Sequence, residues 1–172
     1  MQSVTQRTSA HACQPLSAPS GGLAFARPGG YGALTDAHFV IAFAVAVPVW
    51  LVLGLVVGAN MQVLVGWQAW ISGLLVLPLL EEWVFRGLLQ GQLLRLWKGR
   101  RLGCVSWANL CVSGAFVAVH FMTQPAAWAL AVALPSLVLG HLRERLGSAW
   151  PGVLVHAYFN AGFWLTACWV GK

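Results

Sequence analysis

From residue 37 onward the chain is a series of apolar stretches, each close to the length of a bilayer crossing, with almost all charge confined to the joints between them. About 20 apolar residues cross a hydrocarbon core as a helix, and only helices or closed barrels satisfy their backbone groups there. This patterning predicts an all-α fold: a polytopic transmembrane helix bundle of about five spans with an interfacial helix. Composition agrees. Of the 172 residues 59% are hydrophobic and 8% are charged, where a soluble domain carries about 25% charged residues.

The spans are expected over residues 37–59, with Pro48 as a kink; from 63 through the middle of the chain to about 97; over 103–122; over 126–142; and over 149–170. Gly87 and Gly91 would let the long second segment bend along the interface. Pro151 falls in the first turn of the fifth, where a missing N–H costs nothing. Residues 1–35 are rich in Ser, Ala, Gly and Pro and hold no apolar core of signal-peptide length. They read as a flexible cytoplasmic tail ahead of a membrane-embedded domain over 36–172.

The basic residues fix an orientation. Arg95, Lys98, Arg100 and Arg101 follow the second span, Arg143 and Arg145 the fourth, and Arg7 and Arg27 precede the first. All lie on one side if the N-terminus is cytoplasmic, as the positive-inside rule requires. The net charge of +6 is therefore a topology signal, and no nucleic-acid partner is expected. Trp67, Trp97, Trp128, Trp150 and Trp169 lie near span ends, as aromatic belts do. The four cysteines form no CxxC and have no histidine at ligand spacing. Neither a disulfide framework nor a thiolate metal site is expected.

Against this background Glu81 and Glu82 stand out. They are half of the chain's four carboxylates, and they sit inside an apolar run. A carboxylate at the bilayer centre costs about 2.5–3.5 kcal/mol on the mildest scales, and such a group is by default a functional-site candidate. Arg86 lies four residues beyond Glu82, on the same helical face. Glu81 is rotated about 100° away and is the less compensated of the two. This predicts Glu81 as a general base and Glu82–Arg86 as its support; the bland alternative is an ion pair joining helices.

Two further polar islands lie in other spans. Phe116 and His120 share a face of the third, and His156 and Asn160 share a face of the fifth. His156 and Asn160 can both donate toward one point in the interior, or they can serve as interhelical polar contacts. Together the islands hold two carboxylates, two imidazoles, an amide and a guanidinium. That set can activate a water and stabilise an oxyanion, and it can also hold a metal.

In order, the islands resemble the EExxxR, FxxxH and HxxxN motifs of the CAAX-protease and bacteriocin-processing (CPBP, or Abi) family, bacterial relatives of the type II CAAX prenyl endopeptidase. Phe85-Arg86-Gly87 and the run Gly140–Ser148 fit as well, so the resemblance covers about residues 70–165. It implies a glutamate-type intramembrane endopeptidase. Carried onto this sequence, Glu81 and His120 would activate the attacking water, His156 and Asn160 would form the oxyanion hole, and Glu82, Arg86 and Phe116 would support the site. It also implies either no cofactor or a zinc ion on Glu81, His120 and His156. Low Lys with high Ala, Leu, Val, Gly and Arg usage suits a GC-rich bacterial genome, so the expected location is the bacterial inner membrane. The expected partners are the lipid bilayer and a membrane protein or peptide substrate, such as a C-terminal sorting tail or CaaX-like end. The alternatives are a non-catalytic bacteriocin-immunity or sequestering protein and, less favoured, a small proton-coupled transporter.

Overall fold

A computed structural model describes residues 34–57 and 66–170. Residues 1–33 of the expected tail, and the loop near Asn60, lie outside the described residues. The architecture is an all-α bundle. Helix α1 is Ala37–Val57. Helix α2 runs over 67–96 as a chain of α- and π-helical turns. A two-stranded antiparallel ladder follows, β1 (Arg101–Leu102) with β2 (Val105–Ser106). Helix α3 is Trp107–His120, α4 is Ala126–Leu146 with a break at Val132, and α5 is Trp150–Val170.

Local chemistry sets several of these boundaries. Asp36 caps α1, its Oδ1 accepting from the N–H groups of His38 (3.0 Å) and Phe39 (3.3 Å). Ser106 caps α3 by accepting from the Asn109 N–H at 2.9 Å, which satisfies one of the orphan donors of a first turn. Helix α4 ends at Gly147, whose φ of 70° is the left-handed conformation that favours glycine.

The core lies where α1, α4 and α5 meet: Phe39 and Ala42 from α1, Leu139 and Leu142 from α4, Val155 from α5. The outer surface is apolar. On α1 alone Val40, Ile41, Val45, Val52 and Leu55 are exposed, a surface fit for lipid and a liability in water. The start of α1 is tied to the end of α4 by Arg145–Asp36 (2.8 Å) and by His38 Nδ1 to His141 Nε2 (2.9 Å).

The five helices fit the expected bundle, and among the described residues three of them are long and apolar enough to cross a membrane, 37–55, 126–146 and 150–170. Two expectations need correction. The third span does not begin at 103, because residues 101–106 form the hairpin, turning at Gly103 (φ 60°). Helix α3 has 14 residues, about 21 Å of helix against a hydrocarbon core of about 30 Å. Finally, Cys104 is disulfide-bonded, which no sequence spacing signalled, whereas Cys111 and Cys168 are free thiols.

Candidate active site

Helix α2 carries the glutamates, and its backbone register changes twice, to π over Ser72–Val76 and over Glu82–Gln90. Such stretches strand carbonyls that tertiary donors can then take. In the first, the Leu77 N–H reaches back to Ser72, and residue 78 is proline, which has no N–H. The Gly73 carbonyl is left to Asn160, whose Nδ2 donates to it at 2.9 Å. At the end of the second, the Gly91 N–H bonds to Leu88, and the Arg86 carbonyl accepts from Arg143 Nε at 3.3 Å. Helices α4 and α5 thus hold α2 through its own exposed backbone.

Glu82, Arg86 and Gln90 form one face of α2, and all three are fully buried. The expected Glu82–Arg86 pair is present, Oε2 to Nε at 3.7 Å. Arg86 also donates Nη2 to the Ser136 hydroxyl (2.9 Å) and carbonyl (3.0 Å) on α4, and its guanidinium lies 5.0 Å from the Phe116 ring centroid, a cation–π contact. The other oxygen of Glu82 binds His156 Nδ1 at 3.1 Å. This carboxylate fits because α5 presents Gly152 to it: a Cβ at Gly152 would stand 2.8 Å from Glu82 Oε2.

Glu81 points to the same imidazole from the other side, Oε2 lying 3.5 Å from His156 Nε2. Its side chain is 26% exposed, against 0% for Glu82. His156 is therefore held between the two glutamates. His120 completes the group. Its ring stacks on Phe116 at 4.4 Å, and Phe116 meets His156 edge-on at 6.1 Å. His120 Nδ1 lies 2.8 Å from the Phe116 carbonyl. A carbonyl only accepts, so Nδ1 carries the hydrogen and Nε2 keeps its lone pair. Both imidazoles are within electrostatic reach of Glu81.

All three sequence islands thus meet at one place in the bundle: a half-open carboxylate, a closed carboxylate on an arginine, and two imidazoles. Residues 63–162, which contain every one of these side chains, match the family model described as type II CAAX prenyl endopeptidase Rce1-like. The chain belongs to that family. It is a family of proteases, so the arrangement belongs to an endopeptidase scaffold. No curated protein and no solved structure matches the chain.

One Asn160 N–H is committed to Gly73, and both His156 nitrogens face glutamates. Among the described residues no three His, Cys, Asp or Glu side chains are gathered at metal-binding spacing.

Sequence reasoning missed Ser136 and Gly152. Both are ordinary residues of apolar spans. The only available signal was indirect: a buried Arg86 needs more acceptors than Glu82 offers, and a small residue must face a buried carboxylate.

Proposed function

We propose that the chain is an intramembrane endopeptidase that hydrolyses a peptide bond in a membrane-associated protein or peptide, at a hydrophobic C-terminal sorting tail or CaaX-like end. The observation that carries this reading is the placement of His156 between Glu82 at Nδ1 and Glu81 at Nε2.

In this reading Glu81 is the general base. It takes a proton from water while His120 Nε2 orients that water as acceptor. The water oxygen attacks the scissile carbonyl carbon. His156, held by Glu82, turns its Nε2–H from Glu81 to the developing oxyanion, and Asn160 contributes its second N–H from one turn away. As the tetrahedral species collapses the C–N bond breaks, and the proton held by Glu81 passes to the leaving amine. Preorganised donors in a dry site supply most of the barrier lowering in such schemes. Arg86 and Ser136 keep Glu82 in place, and Phe116 fills the space between the imidazoles.

In this reading Glu81 and His120 activate the water directly, and no step uses a metal. Chelation with EDTA should therefore leave cleavage intact. We assign the protein to a bacterial inner membrane with the N-terminus and the basic joints cytoplasmic, on the distribution of Arg95, Lys98, Arg100, Arg101, Arg143 and Arg145. The test is cleavage of a membrane-anchored reporter library by the purified protein in proteoliposomes, with products mapped by mass spectrometry. Peptide products from the wild type, absent with Glu81→Gln, support the reading. Protection of cells from a bacteriocin that survives Glu81→Gln, without cleavage, favours a sequestering protein instead.

A further inference from the structure

Hydrolysis at a buried site consumes one water per bond, and Glu82 is fully buried. Among the described residues, the buried side-chain polar atoms with no hydrogen-bond partner in the protein are Glu82 Oε2, Arg86 Nε and Nη1, Gln90 Oε1 and Arg143 Nη1. They are not scattered. Glu82, Arg86 and Gln90 occupy one face of α2 over two turns, and Arg143 reaches that face from α4, its Nε on the Arg86 carbonyl. Acceptors and donors alternate along the line: carboxylate, guanidinium, amide oxygen, guanidinium.

The line has an outlet. Gln90 Nε2 donates to Gly140 O (3.0 Å) and to Glu144 Oε1 (2.8 Å). Glu144 Oε2 in turn accepts from Arg101 Nη1 at 3.1 Å, and the Arg101 side chain is 28% exposed. Polar groups so deeply buried are nearly always satisfied, by protein or by ordered water. A buried water is held by two to four polar partners, and an alternating row of donors and acceptors offers them. A merely adhesive ion pair would be closed: Arg101–Glu144 meets at 3.1 Å, whereas Glu82 Oε2 and Arg86 Nε stand 3.7 Å apart, and Arg86 Nη1, Gln90 Oε1 and Arg143 Nη1 have no hydrogen-bond partner in the protein.

We propose that Glu82, Arg86, Gln90 and Arg143 line a buried file of water that joins the glutamate site to the aqueous edge at Glu144 and Arg101. The proposal rests on the hydrolytic reading for its purpose but not for its detection. The file supplies the water that Glu81 consumes and restores it after each turnover. Gln90, two turns from Glu82, is a positioning residue that holds the middle of the file.

The test is water-edited solid-state NMR on arginine- and valine-labelled protein in lipid bilayers. The file requires magnetisation from water to reach the Arg86 and Arg143 guanidinium groups as fast as it reaches Arg101, although both are buried. Transfer as slow as at the buried backbone of Val112 and Val155 overturns it. Gln90→Leu should abolish rapid transfer to Arg86 and leave that to Arg101 unchanged; unchanged transfer to Arg86 also overturns it. If Gln90→Leu does not fold, the wild-type comparison decides alone. A protein that never cleaves a peptide but hydrates Arg86 rapidly refutes the hydrolytic reading and keeps the file.

Discussion

Glu82 and His156 are joined across α2 and α5 by a 3.1 Å contact from Oε1 to Nδ1, with the carboxylate fully buried. The contact fixes which imidazole nitrogen turns to Glu81, and it places the two glutamates in different surroundings. Glu82 is closed in by Arg86 and the histidine, and Glu81 beside it is 26% exposed; the proposed mechanism gives them different tasks.

That division has a measurable form. Glu82→Ala strands Arg86 as a buried, uncompensated cation, which typically costs about 3–5 kcal/mol. Glu81→Ala removes a partly exposed group and should barely move the unfolding temperature. Thermal unfolding in detergent, alongside cleavage, checks this: both variants lose activity and only Glu82→Ala loses much stability.

Gly152→Ala tests the fit of α5 against Glu82. The added Cβ would stand 2.8 Å from Oε2, and the carboxylate cannot swing away because Arg86 and His156 hold it. Overpacking of this kind costs about 1–3 kcal/mol. The variant should fold with reduced stability and cleave poorly, whereas Gly114→Ala, where a Cβ meets nothing within 4 Å, should match the wild type.

The spans and the three islands were legible because both obey simple spacing. Apolar length gives α1, α4 and α5, Pro151 marks the start of α5, and i,i+4 pairs bring Glu82 to Arg86 and Phe116 to His120. The start of α3 was not legible, since the hairpin over 101–106 is a short mixed segment whose turn depends on Gly103. Nor were the π turns of α2. They persist because Asn160 and Arg143, from distant parts of the chain, take up the carbonyls of Gly73 and Arg86. Pro78 was the one local hint, as it leaves Gly73 without an intrahelical donor. Ser136, Gly152 and Gln90 gain their roles only from the face they present.

Asn160→Ala should act on two observables. Loss of an oxyanion donor lowers turnover by about 10²–10³. Loss of the bond to Gly73 also loosens α2 against α5, which hydrogen exchange at the 73–78 backbone should register. A variant with normal turnover but faster exchange would leave Asn160 as a packing residue alone.

Outside the spans, the Asp36–Arg145 bond ties α1 to α4. Burial by itself raises the Asp36 pKa, but hydrogen bonds from Arg145 and from the Phe39 and His38 N–H groups outweigh it, and the net shift is downward from 3.8. A carboxyl depressed in the folded state stabilises above its unfolded pKa and ceases to do so as pH falls through the folded value. The tie should therefore hold at pH 5–7, and its contribution should vanish only in acid below about pH 3.8. The difference in unfolding temperature between wild type and Asp36→Asn should be constant over the neutral range and close at that acid limit.

The most direct measurement is cleavage of a membrane-anchored peptide by purified wild type and Glu81→Gln in EDTA-treated proteoliposomes, with both proteins shown to be folded. The arrangement of Glu81, His120 and His156 predicts peptide products from the wild type and none from the variant. Equal cleavage by the two, or cleavage by the wild type only when a divalent metal is restored, would contradict it.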